Sequence, residues 1–157
     1  MSSWRQTTLL SAATLIVAAT AAPSSVVAEL AGQYTYRFEN GNIDGDTYHS
    51  TDVVKIFPLD RESALTSMEL NFFNGHECII YGVAKVESGK LVYRDRLGWQ
   101  PDAPECRLSI WQDQDRIRWE DEGTCQFHCG ARGGLSNGEM RTASRQVITA
   151  RPSPPLP

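Results

Sequence analysis

The chain has 157 residues, of which 41% are hydrophobic, and its 15 lysines and arginines against 19 acids give a formal charge of −4. That length matches one ordinary domain. An acidic balance with no basic stripe argues against nucleic-acid binding, and a protein partner would more naturally be basic.

Residues 1–8 carry Arg5 and no acid, and residues 9–19 form a short apolar run. This is the pattern of a cleavable secretory signal peptide. The run falls short of the ~20 apolar residues that span a bilayer. Small residues fit the cleavage rule after Ala21 and again after Ala28, and the later position is preferred because periodic sequence begins at Leu30. The expected organisation is a signal peptide over 1–28, a single domain over 29–150, and a proline-rich mobile tail over 151–157. The working protein is then periplasmic or secreted, with no membrane span in its mature form.

Past the leader, the period is that of strands rather than helices. Tyr34, Tyr36 and Phe38 alternate with polar residues, Val54 and Ile56 follow a polar stretch, and Pro58 stops that run. Leu65 to Phe73 places Met68, Leu70 and Phe72 on one face. Asn74-Gly75 then supplies the two positive-φ residues of a tight hairpin turn. Cys78 to Val86 reads as a central strand, and Ser88-Gly89 turns it into Leu91-Val92-Tyr93. Cys106, Leu108 and Ile110 pair with Ile117 and Trp119 across Gln112 to Arg116, which makes Trp119 a core residue. Asn137-Gly138 is a further turn signal, and Gln146 to Ala150 is the expected closing strand. Seven or eight short strands without a long helix predict an all-β fold, a small antiparallel barrel or sandwich.

All four cysteines follow the leader. An even count in an exported chain predicts two disulfides, with three possible pairings. If Cys106 and Cys125 end the two strands of a hairpin turning near residues 113–115, they meet, which leaves Cys78 for Cys129. A zinc site using Cys125 and Cys129 with His128 or His76 is the competing reading.

Three segments carry candidate chemistry. Asn40, Asn42, Asp44 and Asp46 place oxygen ligands at alternate positions around Gly45, as in a calcium loop, but Thr51 stands where a bidentate glutamate is needed. The same segment also reads as a polar turn. His76, Glu77 and Cys78 group an imidazole, a carboxylate and a thiol, yet neighbours on a strand diverge and a disulfide removes the nucleophile. The third segment runs from Cys125 to Leu135. Its glycines around Arg132 would let the backbone approach a partner while presenting a guanidinium suited to a carboxylate. Alternatively, the glycines serve positive φ and Arg132 pairs with an internal acid such as Glu77. Trp99, in a loop, is a candidate binding anchor.

From Tyr34 through Leu135, the succession Asn74-Gly75-His76-Glu77-Cys78, Gly82-Val83-Ala84, Leu91-Val92-Tyr93-Arg94 and Cys129-Gly130-Ala131-Arg132-Gly133 resembles a group of small exported bacterial proteins of unassigned activity. More remotely, Gly130-Ala131-Arg132 is similar to the signature loop of bacterial inhibitors of c-type lysozyme, antiparallel barrels whose motif reads Ser-Gly-Ser-Gly-Ala-Arg-Tyr. Here Cys129 stands in place of a serine and Gly133 in place of the tyrosine. The resemblance implies a loop inserted into an enzyme cleft, with Gly130, Ala131 and Arg132 as contact residues.

The expectation is a non-enzymatic binding protein without a cofactor, an inhibitor of lysozyme or another basic cell-wall hydrolase. The alternative is a small-ligand carrier whose barrel mouth holds an apolar molecule. An enzyme would need His49, His76 or His128 to meet a carboxylate in an open cleft.

Overall fold

The alternation of inward and outward side chains resolves into strands that follow one another round a single sheet. The computed structural model describes residues 25–96, 102 and 104–154. A short helix α1 (Val26–Leu30) precedes β1 (Gly32–Gly41), β2 (Thr47–Pro58), β3 (Ser63–Asn71), β4 (Glu77–Glu87), β5 (Lys90–Asp95), β6 (Cys106–Asp113), β7 (Arg116–Glu120) and β8 (Gly138–Arg141). Each strand pairs antiparallel with the next in chain order, so the eight strands form an up-and-down sheet.

The sheet curls until its two edges face each other. Gln33 and Gln146 exchange backbone hydrogen bonds of 2.9 and 2.8 Å, and Ser144 Oγ accepts from the Thr35 amide at 3.4 Å. The result is an all-β, eight-stranded, nearly closed antiparallel barrel with two disulfides, Cys78–Cys129 and Cys106–Cys125. Both pairings follow the hairpin argument, because Cys106 opens β6 and Cys125 lies just beyond its partner β7. With every cysteine so paired, the zinc reading has no thiolates to use.

Tight turns sit where the sequence places them. Asn74 and Gly75 have φ of 62° and 70°, and Ser88 and Gly89 have 48° and 77°. The closing strand does not. Gln146 contributes a single bridge, while β8 begins at Gly138. That glycine lies inside a strand because the Trp119 ring occupies the space where a side chain would go.

The interior is filled by Tyr34, Val54, Ile56, Met68, Ile80, Leu108, Ile110 and Ile117, with Trp119 among them. The lower mouth, where β2 turns into β3, is plugged by α1. Val27 and Leu30 are each 1% exposed, Ser25 Oγ caps the helix by accepting from the Ala28 amide, and Tyr34 Oη donates to the Leu30 carbonyl at 2.9 Å. Burying a side chain such as Leu30 contributes about 2 kcal/mol. Val26 and Val27, which fall within the expected leader, pack against the barrel in this structure. The described part of the tail lies against the barrel: Pro152 is buried, and Tyr81 Oη donates to its carbonyl at 3.0 Å. Among the described residues no helix is long and apolar enough to cross a membrane.

Candidate functional site

The up-and-down order sends the β1–β2, β3–β4 and β7–β8 connections to the same, upper end of the barrel. These are the three segments singled out from the sequence. β5 ends and β6 begins there too, but Trp99, between them, lies outside the described residues.

The β1–β2 loop is organised by its own side chains. Asn42 Oδ1 accepts from the amides of Asp44 at 3.0 Å and Asp46 at 2.9 Å, while its amide group donates to Asp46 Oδ2. Asn40 is buried, its side-chain nitrogen donating to Ser50 Oγ and the Phe72 carbonyl and its oxygen accepting from the Gly41 amide. Both asparagine oxygens thus serve the hairpin backbone, as in a self-bonded turn. The four residues proposed as calcium ligands thus lie in and beside a hydrogen-bonded turn.

This loop leans on the β3–β4 turn. Asn74 Oδ1 accepts from the Ile43 amide at 3.4 Å, and Tyr48 Oη accepts from the Gly75 amide at 3.2 Å. Phe73 packs beside Gly41, where a Cβ would sit 3.5 Å from its ring. Ile43, Tyr48 and Phe73 are among the most exposed large apolar side chains, at 68%, 37% and 42%.

The Arg132 segment completes the surface. The Cys78–Cys129 bridge ties its start to β4, and the Gly130 amide donates to the Glu77 carbonyl at 2.8 Å. Two of its three glycines, Gly130 and Gly133, are needed for close packing, not for turning, whereas Gly134 has open space beside it. A Cβ on Gly130 would lie 2.6 Å from His76 Nδ1, one on Gly133 would lie 2.8 Å from Cys78 Sγ, and neither residue has positive φ. Ala131 and Arg132 are exposed, and the guanidinium lies over the Phe73 ring at 5.5 Å. Among the described residues no carboxylate pairs with Arg132; Glu77 does not take the role assigned to it above.

An arginine on an aromatic face beside a tyrosine and an isoleucine forms an amphipathic contact surface of the kind found at binding hot spots. Ile43, Tyr48 and Phe73 were not singled out from the sequence. Two signals for them existed: Ile43 is the lone apolar residue of a polar loop, and Phe72-Phe73 cannot both face inward from one strand.

The histidines do not converge. His49 is exposed on β2, His76 packs on Gly130, and His128 sits under the loop beyond β7. His128 Nε2 lies 3.4 Å from Asp95 Oδ2, which also accepts from Tyr93 Oη at 3.2 Å. Within that pair the imidazole Nε2 is buried and makes no hydrogen bond, while the Asp95 carboxylate is partly exposed. Burial pushes the His128 pKa below the ordinary histidine value, with Asp95 and the Ile79 backbone pulling the other way; burial and Asp95 push the Tyr93 phenol up. Among the described residues no group of histidines, cysteines and acids gathers to hold a metal.

Comparison of the chain with protein-family models, with curated proteins and with solved structures finds no match in any of the three.

Proposed function

We propose that this is an exported, non-enzymatic binding protein that docks through the upper end of its barrel, with Arg132 entering the cleft of a basic cell-wall hydrolase such as a c-type lysozyme. The observation that carries this reading is the exposed guanidinium held over Phe73 with no carboxylate partner among the described residues. A guanidinium in that state is free to bond both oxygens of a carboxylate supplied by another molecule. The acidic net charge favours encounter with a basic enzyme, and the apolar neighbours Ile43, Tyr48 and Phe73 supply area to bury on docking. Two disulfides in so small a domain support a periplasmic or secreted setting.

The test is inhibition of c-type lysozyme and of a panel of wall hydrolases by the purified folded protein. Inhibition that falls at least about tenfold for Arg132→Ala and for Phe73→Ala supports the reading. Absence of binding to every hydrolase, or inhibition that is indifferent to both substitutions, overturns it.

A further inference from the structure

The barrel is open along one line, between β1 and β8, and the opening has features of its own. Tyr34, Tyr36 and Phe38 lie on one face of β1, the face toward the interior. Tyr34 is fully buried, yet Tyr36 is 58% exposed and stacks on Phe38 with ring centroids 5.6 Å apart. The inward face is thus uncovered where the two edges separate. A groove of about 730 Å³ runs there, lined by Thr35, Tyr36, Met140 and Ser144 and flanked by Arg116, Arg141 and Glu139, whose carboxylate is taken up by Arg116 and Arg118.

Beyond Thr35, the β1 backbone that faces this groove has no partner among the described residues. Gln33 spends its amide and carbonyl on Gln146, away from β2, so the strand period aims those of Thr35, Arg37 and Glu39 the same way. Ser144 Oγ meets the Thr35 amide. Among the described residues nothing bonds the amides of Arg37 and Glu39 across the seam. A row of free donors and acceptors on an edge strand is a template for another extended chain.

The charge at the seam selects which chain. Arg116 is held by Glu139 and Asp115, whereas Arg37 and Arg141 have no carboxylate partner among the described residues. Both lie on the outward face, opposite Tyr36 and Met140 respectively. We propose that the seam binds an extended acidic peptide segment, which pairs with the β1 edge as an added strand. Alternate apolar side chains of that segment enter the groove against Tyr36 and Met140, and the acidic ones between them meet Arg37 and Arg141. This site is separate from the Arg132 surface, and Arg132→Ala leaves it intact.

The experiment is a titration of the folded protein, followed by amide resonances and amide exchange, with a blocked octapeptide of alternating glutamate and valine. The expected result is shifted resonances and slowed exchange at Arg37 and Glu39. A lysine–valine peptide should bind at least about tenfold more weakly, and Arg37→Glu with Arg141→Glu should reverse that preference. Methylating the peptide's alternate backbone nitrogens should abolish binding. Absence of any response at the seam at millimolar peptide overturns the proposal. So does equal binding of the methylated peptide, which would assign the groove to side-chain contacts alone, or equal binding of the lysine peptide.

Discussion

Gly138 lies flat against Trp119: a Cβ at residue 138 would come within 2.0 Å of the indole, closer than any real carbon contact. Trp119 is 4% exposed and opposite Gly138 in the β7–β8 register, so neither group has room to yield. Gly138→Ala should therefore destabilise the fold by about 3 kcal/mol through overpacking. Urea denaturation of the two proteins would show it as a lowered midpoint with an unchanged slope.

The plug at the lower mouth predicts which chain start is stable. A protein beginning at Ala22 keeps Ser25, Val27 and the capped helix, whereas one beginning at Glu29 leaves a void where Val27 packs. The shorter form should be less stable by about 2 kcal/mol or more. Denaturation of both forms, with mass determination of the exported protein, checks this point. Equal midpoints would mean that α1 adds nothing to the barrel.

His128 makes stability pH-dependent in one direction. Its folded pKa lies below its unfolded value, near 6.5, because burial disfavours the imidazolium more than Asp95 favours it. The unfolded chain then takes up the proton first. The contribution is fully present above about pH 6.5 and is lost as pH falls through the folded pKa. Between pH 7.5 and 5.5 the denaturation midpoint should drop, and His128→Gln should flatten that drop. Asp95 and Tyr93 face the imidazole, so Asp95→Asn should steepen it.

The Cys78–Cys129 bridge spans 51 residues and the Cys106–Cys125 bridge 19. By chain entropy the longer loop is worth about 4 kcal/mol and the shorter about 3 kcal/mol. Replacing Cys78 and Cys129 together with serine should cost more stability than replacing the other pair. It should also free the segment carrying Arg132, read as faster amide exchange at Ala131 and Arg132.

Local chemistry was legible in the sequence wherever the cause is local. Asn74-Gly75 announces a turn because few other pairs tolerate two positive φ values, and the 106–119 hairpin brings Cys106 toward Cys125 whatever else the chain does. Features that depend on distant partners were not legible. Gly138 looks like a turn residue until Trp119 is placed on it, and nothing local to Val27 marks its burial in the barrel's mouth. Gly130 and Gly133 suggested a freely approachable backbone, whereas His76 and Cys78 occupy the space beside them. Arg132, by contrast, was singled out from its surroundings of small residues, and the structure places it on the surface. Its seat on Phe73 could not be foreseen, because it joins a turn to a loop more than fifty residues away.

The Gln33–Gln146 bridge also sets an order of events during biogenesis. A chain delivered N-terminus first, through a ribosomal tunnel or a translocation pore, can form each neighbouring hairpin as it emerges. It cannot join its first strand to the segment around Gln146 until that residue is free. Until then β1 waits with a bare edge, and the final closure pays its loop entropy in one late step. A growing chain of this design is most exposed to misassembly in the interval before residue 146 emerges, and holding factors that shield strand edges would act on it then.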